Sequence, residues 1–149
     1  MDFTGLRLPC LDREEAAPYR AYMANPPRIL VVDDSRDIRD LLSEGLRSAG
    51  YDVHTASDGE EALLIAETMP PALVILDIMM PRMSGWELLK ALRKHPQLSQ
   101  LKVIVLTAIG ANIGEATSTL HGADAHFDKP FAFMELLRTV EELVGSGAE

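Results

Sequence analysis

ILVVDDS at residues 29–35 decides the fold and the site together. Arg28 to Val32 is a short, apolar, β-branched run, which reads as a buried strand. It stops at two adjacent acids, Asp33 and Asp34. Ser35 then opens a helix to Ala49, with Ile38, Leu41, Leu42 and Leu46 at helical spacing and Gly50 as its stop. The same alternation repeats along the chain. Asp52–Thr55, Ala72–Leu76, Lys102–Leu106 and Ala123–Phe127 read as strands. Gly59–Met69, Ser84–Lys94, Ala111–His121 and Phe131–Val144 read as helices. The central strands are apolar along their length, as expected where helices cover both faces of a sheet. Right-handed crossovers then predict an α/β fold, a doubly wound five-stranded parallel sheet.

The flanks differ from this core. Residues 1–27 hold four prolines and no sustained periodicity, and read as a flexible or partner-dependent N-terminal arm, or as a docking segment. The regular domain spans 28–144, and 145–149 form a small polar tail. Of the 149 residues, 47% are hydrophobic and 25% charged, which suits one soluble domain with one core. The formal net charge of −9 repels phosphate backbones, so composition points to no nucleic-acid partner. Cys10 is the single cysteine, which excludes an intrachain disulfide and a zinc cluster. No secretory leader is legible in MDFTGLRLPC and no stretch is apolar enough to span a bilayer, so the expectation is a cytoplasmic protein with no membrane partner.

In a doubly wound sheet the ligand site lies beyond the carboxyl ends of the strands. Asp33 and Asp34, Asp77 and Thr107 close apolar runs there, and the fifth strand ends near Lys129. Three carboxylates brought together repel, and one must protonate unless a cation joins them. A hard divalent ion with oxygen ligands meets that need, and Mg2+ suits it best. One carboxylate then serves as nucleophile toward a phosphoryl group. Lys129 offsets charge on the transferring oxygens and Thr107 donates a hydrogen bond.

Four segments in this order resemble the receiver domain of two-component response regulators: ILVVDDS at 29–35, LVILDIMMPRMSG at 73–85, VIVLTA at 103–108 and GADAHFDKPF at 122–131. The resemblance runs from about Arg28 to Val144. It implies a flavodoxin-like receiver fold with strand order 2-1-3-4-5. It makes Asp77 the phosphoacceptor in a phosphorelay, fed by a histidine kinase or a histidine phosphotransfer protein. Asp34 binds the metal directly, Asp33 mainly through water, and Met79 through its backbone carbonyl. Thr107 contacts the phosphoryl oxygens and shifts on activation, Lys129 pairs with them, and the backbone N–H groups of Met79 and Ala108 assist. The Lys129–Pro130 peptide is expected to be cis. The switch position of the fifth strand, usually Tyr or Phe, holds His126, whose charge can change near neutral pH.

On this reading the protein is a phosphoacceptor signalling domain rather than an enzyme, limited to magnesium-dependent self-phosphorylation and autodephosphorylation. Few residues follow Val144, so the expectation is signalling by protein binding without a DNA-binding output domain, with a downstream protein target. Homodimerisation through the surface of the Ala111–His121 helix, the fifth strand and the last helix stays open. A phosphatase of the haloacid dehalogenase type needs an Asp-x-Asp pattern after its first strand, whereas Asp33 and Asp34 are adjacent. A flavodoxin-type carrier must cradle a phosphate where this pair would repel one.

Overall fold

A computed structural model describes residues 26–80, 83–107 and 122–145 of the chain. In chain order the elements are β1 (Arg28–Val32), α1 (Arg36–Ser48), β2 (Asp52–Ala56), α2 (Gly59–Thr68), β3 (Leu73–Asp77), α3 (Gly85–Lys94), β4 (Lys102–Thr107), β5 (Ala125–Asp128) and α4 (Phe133–Val144). The expected helix at Ala111–His121, nearly all of the N-terminal arm and nearly all of the tail lie outside the described residues.

Local chemistry sets the helix ends. The Ser35 hydroxyl accepts from the Ile38 N–H at the start of α1, and the Asp58 carboxylate accepts from Glu61 at the start of α2. α3 opens with a reciprocal capping box: Ser84 accepts from the Glu87 N–H, and the Glu87 carboxylate accepts from the Ser84 N–H at 2.8 Å. Gly50, just past α1, sits at φ 101°, where a side chain would be strained.

The five strands form one parallel sheet in the order β2-β1-β3-β4-β5. Successive strand residues point to opposite faces and so feed two cores. On one face Ile29, Val31, Leu73, Ile75, Ile104 and Leu106 pack with Leu42 and Leu46 of α1 and Leu136 and Val140 of α4. On the other, Leu30, Val32, Val74, Leu76, Val103 and Val105 pack with Ala62 and Ala66 of α2 and Leu88, Leu89 and Leu92 of α3. Each fully buried Leu, Ile or Val contributes about 1.5–3 kcal/mol by burial. The doubly wound, flavodoxin-like receiver fold expected from the sequence is the fold observed.

Most boundaries shift by one residue at most, and the starts of β5 and α4 move further. β5 starts at Ala125, because Asp124 is occupied earlier: its backbone N–H bonds the Val103 carbonyl and its carboxylate accepts from the Val103 N–H at 2.8 Å. α4 starts at Phe133, because Ala132 is still extended (φ −85°, ψ 123°) and acts as the N-cap. The parallel arrangement brings every strand's carboxyl end to one edge. β1 and β3 are neighbours there, and β4 adjoins β3.

Candidate functional site

Asp33, at the end of β1, is fully buried. Its Oδ1 accepts from the Ser35 N–H at 2.8 Å and its Oδ2 from the Lys129 ammonium at 2.9 Å. Its carbonyl accepts from the Arg39 guanidinium at 2.7 Å. Asp77, the last residue of β3, is 4% exposed. Its Oδ1 accepts from the Met79 N–H at 3.0 Å, and its Oδ2 lies 3.3 Å from the Lys129 Nζ. Asp34 is exposed beside them. One carboxylate oxygen from each of Asp33, Asp34 and Asp77 falls within 4.8 Å of the others.

Burial pushes the Asp77 carboxyl above its ordinary value, and the neighbouring Asp33 charge adds to this. The Met79 N–H and Lys129 work against that rise without cancelling it. For Lys129 partial burial disfavours the ammonium, but its hydrogen bond to Asp33 and the charges of Asp33 and Asp77 outweigh burial and raise it. The pocket is therefore short of positive charge. Three converging carboxylates share one ammonium, and a hard divalent cation with oxygen ligands fits that donor set.

α3 approaches the site through Gly85. Its N–H bonds the Ile78 carbonyl at 3.0 Å, and a Cβ there would sit 2.5 Å from the Asp77 carbonyl oxygen and 2.6 Å from the Ile78 Cα. Only glycine lets the helix start this close beneath the Asp77 loop. Met80 and Met83 pack into the core as loop residues, whereas Met79 is 60% exposed.

A model of the response regulator receiver domain matches residues 29–141. The chain belongs to this family. A probable transcriptional regulator ycf27 of Cyanophora paradoxa is 42% identical over 120 residues, covering 80% of this chain and 49% of the relative. The DNA-binding dual master transcriptional regulator RpaA of Synechocystis is 37% identical over 118 residues, 79% and 49% of the two chains. The response regulator TrrA of Thermotoga maritima, solved in complex with Mg2+ and BeF, superposes with a TM-score of 0.69 at 43% identity, covering 78% of this chain and 98% of that one. This chain spans about half the length of the curated relatives it matches. As a response regulator receiver it is a two-component signalling module.

One expectation from the sequence fails here. Signalling by protein binding without a DNA-binding output domain does not stand, because the curated relatives are named as transcriptional regulators and this chain covers only their receiver part. A receiver folds around its own core, so neither its final residue nor its acidic surface specifies the output joined to it. Among the described residues no helix is long and apolar enough to cross a membrane.

The receiver gathers Asp33, Asp34, Asp77 and Lys129, and the Lys129–Pro130 peptide is cis as expected. Thr107 is at the end of β4 and fully buried, and its hydroxyl bonds side chains of β5. It donates to Asp128 Oδ1 at 2.7 Å and lies 3.1 Å from His126 Nε2. Ala108, whose backbone N–H the resemblance assigns to the site, lies outside the described residues. Sequence reasoning missed Asp128 and Arg39. Asp128 was legible in principle, since the two-residue strand period puts it on the face of His126. Arg39 carries no such signal; a lysine or arginine in a first helical turn is ordinarily a solvated charge.

Proposed function

We infer that this receiver accepts a phosphoryl group on Asp77, taken from a histidine kinase or a histidine phosphotransfer protein. The observation that carries the reading is Lys129, whose ammonium joins the buried Asp33 and Asp77 at 2.9 and 3.3 Å inside an acidic cluster. Asp77 would act as nucleophile through the Oδ2 that faces Lys129, its Oδ1 being held by the Met79 N–H. Lys129 would stay on Asp33 and offset charge gathering on the phosphoryl oxygens. Asp34, Asp33, Asp77 and the Met79 carbonyl would hold Mg2+, which when bound would neutralise the pooled charge and orient the donor phosphate. Both Asp33 oxygens already have donors, which supports Asp34 and Asp77 as its direct carboxylate ligands. Thr107 would turn its hydroxyl to the phosphoryl oxygens, and His126 would follow. Small phosphodonors would also serve, giving magnesium-dependent self-phosphorylation in the cytoplasm. The output would act on transcription, as the names of the curated relatives state for them.

The test is incubation with acetyl phosphate and magnesium, followed by intact mass measurement. Wild type should gain one phosphoryl group, and Asp77→Ala none. A gain that persists in Asp77→Ala, or its absence from wild type, overturns the assignment.

A further inference from the structure

We propose that Asp128 is a positioning residue that latches the Thr107 hydroxyl in the unphosphorylated arrangement and competes with the phosphoryl group for it. The inference rests on the phosphoacceptor reading of Asp77.

Three polar atoms meet on one face of the sheet edge. Thr107 and Asp128 are direct partners in the β4–β5 register, and His126 is two residues back on the same face. Thr107 Oγ1 lies 2.7 Å from Asp128 Oδ1, His126 Nε2 lies 3.1 Å from Thr107 Oγ1, and His126 Nε2 lies 3.1 Å from Asp128 Oδ1. Hydrogen accounting fixes their roles. The carboxylate only accepts, and the hydroxyl has one hydrogen, which it gives to Asp128. An Nε2 lone pair would then face a carboxylate with no hydrogen between them. Nε2 therefore carries a hydrogen and shares it between Asp128 and Thr107. One carboxylate oxygen collects both donors, so Asp128 fixes the hydroxyl and the ring together.

The consequence is a competition. A hydroxyl has a single hydrogen, so Thr107 serves Asp128 or the phosphoryl oxygens, never both. The side chain of His126 is 10% exposed, while that of Asp128 is 67% exposed. Asp128 can thus lose its two donors to water at small cost when Thr107 turns, whereas Thr107, fully buried, depends on a partner other than bulk water in either position. Exposure makes the latch weak enough to release. Lys129, the next residue, is held through its backbone N–H to the Thr107 carbonyl at 2.7 Å. The backbone of the two strands therefore stays paired while the side chains exchange.

The test measures beryllofluoride affinity in saturating magnesium by calorimetry, with 15N spectra of the histidine ring. Proteins are wild type, Asp77→Asn, Asp128→Ala, Thr107→Val and the double variant Thr107→Val/Asp128→Ala. Breaking one net hydrogen bond predicts that Asp128→Ala binds beryllofluoride about three- to tenfold more tightly than wild type. In the Thr107→Val background the same change should have no effect on affinity. The His126 Nε2 signal of free Asp128→Ala should move toward that of beryllofluoride-bound wild type. Tightening that persists in the Thr107→Val background means that Asp128 acts only as a nearby negative charge, and overturns the latch. Unchanged or weaker binding of Asp128→Ala, with Asp77→Asn binding none, also overturns it and leaves the phosphoacceptor reading intact. If wild type binds no beryllofluoride, the phosphoacceptor reading fails and the latch falls with it.

Discussion

Replacing Lys129 with methionine removes the ammonium and keeps most of the chain's bulk. At 2.9 Å from Asp33 and 3.3 Å from Asp77, each attraction is about 5–6 kcal/mol at an effective dielectric of about 20. Most of that repays the cost of taking three charges out of water. Stripping one partner from a buried pair costs about 3–5 kcal/mol in practice. Here the lower end applies, because Asp77 is already held above its ordinary carboxyl range and can escape by protonating. A loss of about 3 kcal/mol lowers the melting temperature of a domain this size by roughly 10–15 °C. The assay is thermal and urea unfolding of wild type and Lys129→Met, first in chelator and then in saturating magnesium. The deficit should be full in chelator and smaller in magnesium, which supplies the missing positive charge and stabilises by mass action. In the double variant Lys129→Met/Asp77→Asn the deficit should also shrink, since one of the repelling charges is gone. If Lys129→Met unfolds at the wild-type midpoint in chelator, the ammonium does not hold these acids together and the electrostatic account of the pocket is wrong.

The folded Asp77 carboxyl is raised above its ordinary value of 3.8, so the stability tied to it is complete below pH 3.8 and is lost as pH climbs through the folded value. Metal-free Asp77→Asn should therefore outlast wild type against urea at neutral pH, with the advantage vanishing below pH 3.8; a less stable variant at neutral pH would reverse the sign worked out here. Asp34 is exposed, so Asp34→Ala should keep wild-type stability in chelator to within about 0.5 kcal/mol yet lose most of the stabilisation by magnesium, as read from melting curves with and without the ion. Gly85→Ala would press a methyl group onto the Asp77 carbonyl and should cost about 1–3 kcal/mol while slowing acetyl phosphate labelling; an unchanged labelling rate would show that α3 does not set the position of Asp77.

The strand ends were legible because they obey a rule of topology. An apolar run in a parallel sheet needs no partner information to declare itself, and its carboxyl end is the first polar residue after it. Asp33, Asp34 and Asp77 follow directly from this, and β1 and β3 being neighbours does the rest. Lys129 needs more, since its side chain crosses from β5 toward β1, and only the surrounding motif marks it. The direction of the Thr107 hydroxyl was not legible. Sequence places the residue at the strand end, but the choice between two hydrogen-bond acceptors depends on side-chain rotation and on the Asp128 carboxylate opposite it in the β4–β5 pair. The output failed for a different reason: the length of a chain is not a physical property of the fold within it.

Counting charge explains why this cluster is tolerable at all. With every group ionised, Asp33, Asp34, Asp77 and Lys129 sum to −2, and the Arg39 guanidinium on the Asp33 carbonyl offsets only one of these charges. Asp33 is shielded by two donors and Asp34 by water, so the imbalance falls on Asp77, whose carboxyl is the one pushed upward. Conversion of Asp77 to an acyl phosphate would replace one negative charge with about two. Lys129 cannot absorb the increase alone, because its shorter bond commits it first to Asp33. The modified pocket would therefore hold a divalent ion more tightly than the resting one, and by linkage the ion would favour the modified state by the same factor. The local repulsion in the resting pocket would, on this accounting, make phosphorylation of Asp77 dependent on the metal.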